Sequence, residues 1–190
     1  TTLSLYYEGA NNSKYSYIVG GDINRDGNNA SDLMYIYAKG SDVPFVVNGA
    51  FSIADQQKAY DDFVASSPYL SRHKGQYAER NAALTPWFNR VDARLLQDFY
   101  IKAGGQQHNL QFIVDIVNLP NLLVRNWGIR QGYTVNNPLT LKGVDANGNP
   151  TFTMATQNIG GTLHLRDAAF SKLTSYSTTW GMNLGIKYFF

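Results

Sequence analysis

Four separated stretches of the chain alternate apolar and polar residues with period two, the mark of a strand whose two faces meet different surroundings. Leu3, Leu5 and Tyr7 alternate with Ser4, Tyr6 and Glu8. Val91, Ala93, Leu95 and Phe99 share one face, and Arg90, Asp92, Arg94 and Asp98 occupy the other. Leu110, Phe112, Val114 and Ile116 stand against Asn109, Gln111 and Asp115. Last, Trp180, Met182, Leu184, Ile186, Tyr188 and Phe190 stand against Gly181, Asn183, Gly185 and Lys187. The pattern predicts strands near residues 1–20, 87–102, 109–119 and 175–190.

A soluble sandwich would explain any one of these strands, with the apolar face on a second sheet and the polar face in water. The connections favour another architecture. Between the second and third strands lies only the tight turn Gly104-Gly105-Gln106-Gln107-His108, whereas the stretches near 22–86 and 121–172 are long and read as strand-poor loops. Short turns on one side and long loops on the other are the asymmetry of outer-membrane barrels. Trp87, Phe88, Phe99 and Tyr100 bracket the second strand, and Trp180, Tyr188, Phe189 and Phe190 the last, as in aromatic belts at headgroup level. The expected fold is therefore all-β: strands and long extracellular loops of a transmembrane antiparallel β-barrel. The smallest single-chain barrels have about eight strands. Four strands would thus be one part of a larger wall, because open edges in lipid leave backbone groups unpaired.

Composition agrees with either a barrel wall or a soluble sheet. Only 16% of the 190 residues are charged, against about 25% in soluble domains, and the mean hydropathy is -0.29. The 16 basic and 14 acidic residues are scattered without blocks, so no nucleic-acid partner is expected. The absence of Cys removes disulfides, thiolate catalysis and Cys-based zinc sites. No apolar run approaches the roughly 20 residues of a membrane helix, and Thr1 to Tyr7 lacks the basic start and cleavage site of a signal peptide.

One local motif carries candidate chemistry. Asp22-Ile23-Asn24-Arg25-Asp26-Gly27-Asn28 matches the opening of an EF-hand-type calcium loop, with oxygen side chains at alternate positions and Gly at the sharp turn. The bidentate Glu that should stand at the twelfth position is replaced by Leu33, with Asp32 one place early. Two readings follow: a variant Ca2+ loop with Asp22, Asn24, Asp26, the Asn28 carbonyl and Asp32 as donors, or an Asp/Asn/Gly turn held by its own side chains. His73, His108 and His164 have no metal-ligand spacing, and Gly20-Gly21 and Gly160-Gly161 read as flexible glycine pairs. No nucleophile elbow, Walker loop or zincin motif is present, so no enzyme is expected.

Several motifs together carry a resemblance. Gly21 to Gly27 running into Asn29-Ala30-Ser31-Asp32-Leu33-Met34-Tyr35-Ile36 resembles an extracellular loop of TonB-dependent outer-membrane receptors of the SusC-like type, which carry a carboxypeptidase-like regulatory domain. Arg80-Asn81-Ala82 followed by Pro86-Trp87-Phe88-Asn89-Arg90-Val91-Asp92 is similar to their next descending strand. Asp115-Ile116-Val117-Asn118 with Asn121-Leu122-Leu123 and Asn126-Trp127-Gly128 resembles the ascending strand and the turn above it, and Trp180 to Phe190 the closing strand. The chain departs from the family at Tyr37, where a Pro is expected, and the stretches from Ala38 to Gly75 and from Thr134 to Leu173 match no quoted motif.

The resemblance implies the carboxy-terminal part of a nutrient transporter in the bacterial outer membrane, lacking the plug. It further implies as partners the outer-membrane lipid, the rest of the receptor with its plug, the TonB energising complex, the barrel-assembly machinery and a surface lipoprotein lid. By the same resemblance Trp180, Tyr188 and Phe190 form the assembly signal. From another class, a calcium-stabilised extracellular β-sheet binding module or adhesin is the alternative. Deleting Phe190, or the change Phe190→Asp, is expected to lower the amount of heat-modifiable receptor in the outer membrane with translation unchanged. Wild-type amounts of surface-exposed protein from both variants would remove the assembly-signal role.

Overall fold

The computed structural model describes all residues except Asn12, Tyr176, Ser177 and Phe190. Strand accounts for 47% of the chain, with few helices, so the class is all-β. The chain divides into two compact units. One comprises residues 1–12, 86–131 and 172–190, and the other residues 13–85 and 132–171.

The first unit is built on four long strands, β1 (Thr2–Asn11), β2 (Trp87–Ala103), β3 (Gln106–Val117) and β4 (Gly181–Phe189). They form an open antiparallel sheet in the order β1-β2-β3-β4, and among the described residues no closed barrel is present. The turn between β2 and β3 is only Gly104-Gly105, since Ala103 already pairs with Gln106. Both glycines have positive φ, 61° and 77°, the requirement of the two-residue hairpin turn whose twist suits antiparallel strands. Residues 106–108, expected in the turn, are instead strand.

At the other end of the sheet the long connections begin. After β3, the short helix α3 (Leu119–Leu123) opens on Asn118, whose φ of 55° is left-handed. Asn118 is nearly fully buried. Its N–H donates to Asp92 Oδ1 at 2.8 Å, and its Nδ2 donates to the carbonyls of Gly128 at 3.0 Å and Thr178 at 2.9 Å. Asn121 completes the arrangement: Nδ2 donates to the Arg125 and Trp127 carbonyls, and Oδ1 accepts the N–H of Trp180 at 3.0 Å. Gly128 has φ 68°, and a Cβ there would stand 2.1 Å from Asn118 Oδ1. Only glycine fits both the conformation and the space.

The second unit holds nearly all of the buried apolar core, including Tyr17, Met34, Ile36, Tyr60, Phe63, Leu70, Leu139 and Met154. The long connections are therefore folded structure and not open loops. Helix α1 (Ile53–Ser66) starts with a capping box in which Ser52 and Asp55 bond each other's backbone N–H. It buries Gln56, Ala59, Tyr60, Phe63 and Val64, one stripe at helical spacing. Helix α2 (Pro68–Arg72) follows at once, with Ser67 as its cap. The stretch 121–172, expected to be strand-poor, carries short strands at Gln131–Tyr133, Leu139–Val144, Pro150–Met154, Thr156–Ile159, Thr162–Leu165 and Phe170–Lys172. They are too short and too Thr-rich to show a long alternation. Gly160-Gly161, expected as a flexible pair, is a two-residue hairpin turn between Ile159 and Thr162 with φ of 59° and 89°.

Gln56 ties this core together. Fully buried, it donates from Nε2 to the Val46 carbonyl at 2.8 Å and accepts the Met154 N–H on Oε1 at 2.9 Å. Gln56→Leu keeps the volume but leaves that N–H and that carbonyl without their partner. It is expected to destabilise the second unit by about 2–6 kcal/mol, at roughly 1–3 kcal/mol per unpaired buried group. Amide hydrogen exchange at Met154 checks this, since protection unchanged from wild type would show the pair to be dispensable.

Candidate functional site

The ladder pairs sort side chains of the four-stranded sheet into two faces. Leu3, Leu95, Val114 and Leu184 lie in one row, and Leu5, Ala93, Ile116 and Met182 in the next. Phe112 with Ile186, and Phe99 with Leu110 and Tyr188, extend the same face. Nothing among the described residues covers it: Leu5 is 67% exposed, Leu184 72% and Ile186 66%. A folded chain in water rarely leaves so large a contiguous apolar patch. The rings of Phe99 and Phe112 pack edge to face across β2 and β3 at 5.6 Å.

The opposite face carries the charges and amides, with one apolar row, Leu96 and Ile113, between them. Arg94 faces Asp115 across β2 and β3 and holds it with two bonds, Nε–Oδ1 at 2.5 Å and Nη2–Oδ2 at 2.9 Å. Arg90 grips Asp92, two residues along the same strand, at 2.8 and 2.6 Å. Glu8 stands opposite Arg90 and accepts from Arg130 at 2.9 Å, while the Arg130 guanidinium lies 4.2 Å over the Phe88 ring. Asp98, which shares the face of Arg90 and Arg94, accepts instead from Gln111 at 2.9 Å. The reason is register: position 98 faces Gln111, and the arginines of β2 lie further toward its start. No nucleophile and base are brought together here.

The predicted calcium loop folds around its own backbone. Asp22 accepts the N–H groups of Asp26 at 3.1 Å and Gly27 at 2.8 Å, and Asn24 Oδ1 accepts Asp26 N–H at 2.9 Å. Asp26 Oδ1 caps Asn28 N–H, and Asn28 Oδ1 caps Ala30 N–H. Asp32 Oδ2 reaches back to the N–H of Ile23 at 2.7 Å and of Asn24 at 3.3 Å. Arg25 at φ 61° and Gly27 at φ 88° make the sharp bend. Among the described residues no three His, Cys, Asp or Glu side chains are grouped as a metal site would require. The backbone bonds are those of side-chain-held turns, one of the two readings the motif allows.

Beside this loop lies a cavity of about 460 Å3, wholly within the second unit. Alternation positions its walls. In Met34-Tyr35-Ile36-Tyr37, Met34 and Ile36 are fully buried while Tyr35 and Tyr37 turn to the cavity. Tyr77 is the antiparallel partner of Tyr35, with ring centroids 5.2 Å apart, and Tyr37 meets Tyr35 edge to face at 5.0 Å. Burial pushes the Tyr37 phenol above its ordinary pKa, with Tyr77 and Tyr35 adding to the rise. The phenol therefore remains a neutral donor at physiological pH. The sequence pattern offered a signal for this site in the alternation of residues 34–37, but the stretch was too short to stand apart from its loop.

Of the predicted assembly residues, Trp180 is 46% exposed just before β4 and gives its N–H to Asn121. Tyr188 stacks on His108 at 5.8 Å, and Phe190 lies outside the described residues. The other histidines are local: His73 stacks on Tyr69, and His164 is exposed. Searches against family models, curated proteins and solved structures find no match.

Asp26→Ala deletes the caps on Asn28 N–H and Asn24 Nδ2. Because the twelfth-position Glu is missing, calorimetry on the intact protein is expected to give calcium binding no tighter than about 10⁻⁴ M. Micromolar binding that disappears in Asp26→Ala would establish a metal site instead.

Proposed function

We propose that the chain forms wall strands and outward connections of a β-barrel in the bacterial outer membrane, as part of a TonB-dependent nutrient transporter. The observation that carries the barrel is the unlike pair of faces on one open sheet. One face is uncovered and, through its middle rows, apolar except at Gln97, and the other carries paired charges and amides on either side of a Leu96–Ile113 row. Lipid supplies the partner for the first and a wet lumen the surroundings for the second. The outer edges of β1 and β4 carry backbone groups that no strand of this sheet pairs. In a membrane both edges demand neighbouring strands, which a larger barrel provides. No helix among the described residues is long and apolar enough to cross a membrane, so spanning would be by strands.

The connectivity supports the same reading. A two-residue turn closes β2 to β3 at one end of the sheet, while the excursions 12–86 and 118–180 both leave from the other end. In outer-membrane barrels the longer connections face outward. The assignment to energised uptake, with the TonB complex, plug and surface lipoprotein as partners, rests on the resemblance of the four motifs. The sheet supports it by accounting for their residues: Asp92, Asn118, Asn121, Gly128 and Trp180 are joined in one hydrogen-bonded arrangement. A calcium-stabilised soluble module would leave the row Leu3, Leu95 and Leu184 in water.

Arginine substitution separates the faces. Leu184→Arg, near mid-sheet on the apolar face, is expected to destabilise the folded receptor in lipid by about 2–4 kcal/mol. Gln111→Arg on the polar face should cost much less. Urea titration of the intact receptor in phospholipid vesicles measures both, and equal costs on the two faces would eliminate the barrel.

A further inference from the structure

The cavity beside Asp32 has the makings of a ligand site that neither the wall nor the transport reading assigns. Its volume of about 460 Å3 is within the usual range for small-molecule sites. Tyr35, Tyr37, Tyr77 and Phe152 supply aromatic surface, and Asp32 the single charged group of the lining; no Lys, Arg or His is among the residues that line it. Asp32 uses Oδ2 for the backbone of Ile23 and Asn24, while Oδ1 accepts no hydrogen bond from the described residues. The hydroxyls of Tyr35, Tyr37 and Tyr77 likewise bond to no described residue, although other tyrosines of this unit are satisfied, as Tyr15 on Tyr17 and Tyr60 on the Tyr37 carbonyl. Tyr77 is 67% exposed and Tyr35 and Tyr37 are half-buried, so the three phenols border the open side of the cavity that Asp32 also lines.

The electrostatics select the occupant. Aromatic faces are negative and attract cations, and the attraction grows when the cation sheds water cheaply. A primary ammonium holds its water tightly and needs several acceptors, whereas a methylated ammonium spreads its charge over methyl groups that also pack on rings. We propose that this cavity binds a small soluble molecule bearing a methylated ammonium group, with Tyr35, Tyr37 and Tyr77 against the methyl groups and Asp32 balancing the charge. The site is rigidly made. Tyr35 and Tyr77 are fixed by strand pairing, Met34 and Ile36 anchor the strand in the core, and Asp32 is held by two N–H groups. The inference stands on the second unit alone and does not depend on the membrane reading.

The test is a ligand-observed NMR titration of the full chain in maltoside micelles, with choline as the probe and its uncharged isostere 3,3-dimethylbutan-1-ol as the control. Choline should bind saturably, and the isostere about tenfold more weakly. Tyr77→Leu, at an exposed position, and Asp32→Asn, which retains an oxygen for the Ile23 and Asn24 N–H groups, should each weaken choline about fivefold or more. Both should keep the wild-type thermal midpoint. Asp32→Asn should leave the isostere unaffected, a result that mere loosening of the loop would not give. Equal binding of choline and the isostere would overturn the proposal, as would failure to saturate, or choline affinity unchanged in both variants.

Discussion

The pairing of β2 with β3 is held by a turn of two glycines, and the two faces of the sheet follow from it. With Ala103 set against Gln106, every later pair is determined, so Arg94 meets Asp115 and Leu95 meets Val114. A slip of one residue would carry Val91, Leu95 and Phe99 to the charged side. The outer strands then inherit the same sorting: β1 brings Leu3 and Leu5 to the apolar side, and β4 brings Met182, Leu184 and Ile186. Left-handed backbone at Gly104 and Gly105 is thus a local requirement with consequences across four strands.

The two units meet the burial problem differently. The second unit has a core of its own, with α1 laid against short strands and Gln56 pairing a carbonyl and an N–H that would otherwise be orphaned. The first unit has almost no core, as Phe88 and Pro120 are its buried apolar side chains among the described residues. Its order comes from the backbone ladder and from side chains that tie backbone to backbone, Asn118 and Asn121 above all. Such a sheet needs an apolar medium on one side, which is why the proposed setting is lipid. On its polar face two arginines are matched by carboxylates, Arg90 by Asp92 and Arg94 by Asp115.

The excursions between strands carry more structure than a loop requires. A capping box starts α1, glycine pairs close hairpins, and a chain of Asp and Asn caps shapes residues 22–32. That last segment is placed to border the tyrosine-lined cavity, through Asp32 and Asn24. The Asp/Asn motif thus has a structural role whether or not a cation visits it: it holds the one carboxylate of the cavity beside three phenols.

The long strands were legible in the sequence because period-two alternation over nine or more residues is a local property. The same alternation foretold which residues share a face, and the Gly104-Gly105 pair foretold the hairpin. What it could not show was the fold of residues 13–85 and 132–171. There the strands are two to six residues long, too short for any period to emerge, and their partners are far apart in the chain, as when Gly20 pairs with Thr140. Helix α1 did carry its signature, Ser52 with Asp55 ahead of an apolar stripe from Gln56 to Val64. A stripe interrupted by charges and opening on a buried Gln is ambiguous until Val46 and Met154 stand opposite that Gln. The cavity belongs wholly to tertiary structure, because its walls come from segments more than a hundred residues apart, Val19 and Tyr35 at one extreme and Phe152 at the other. Local sequence determines which way a side chain points along its own strand. Which side chains then face each other across a space depends on long-range pairing, whose energy is shared among contacts that no single stretch contains.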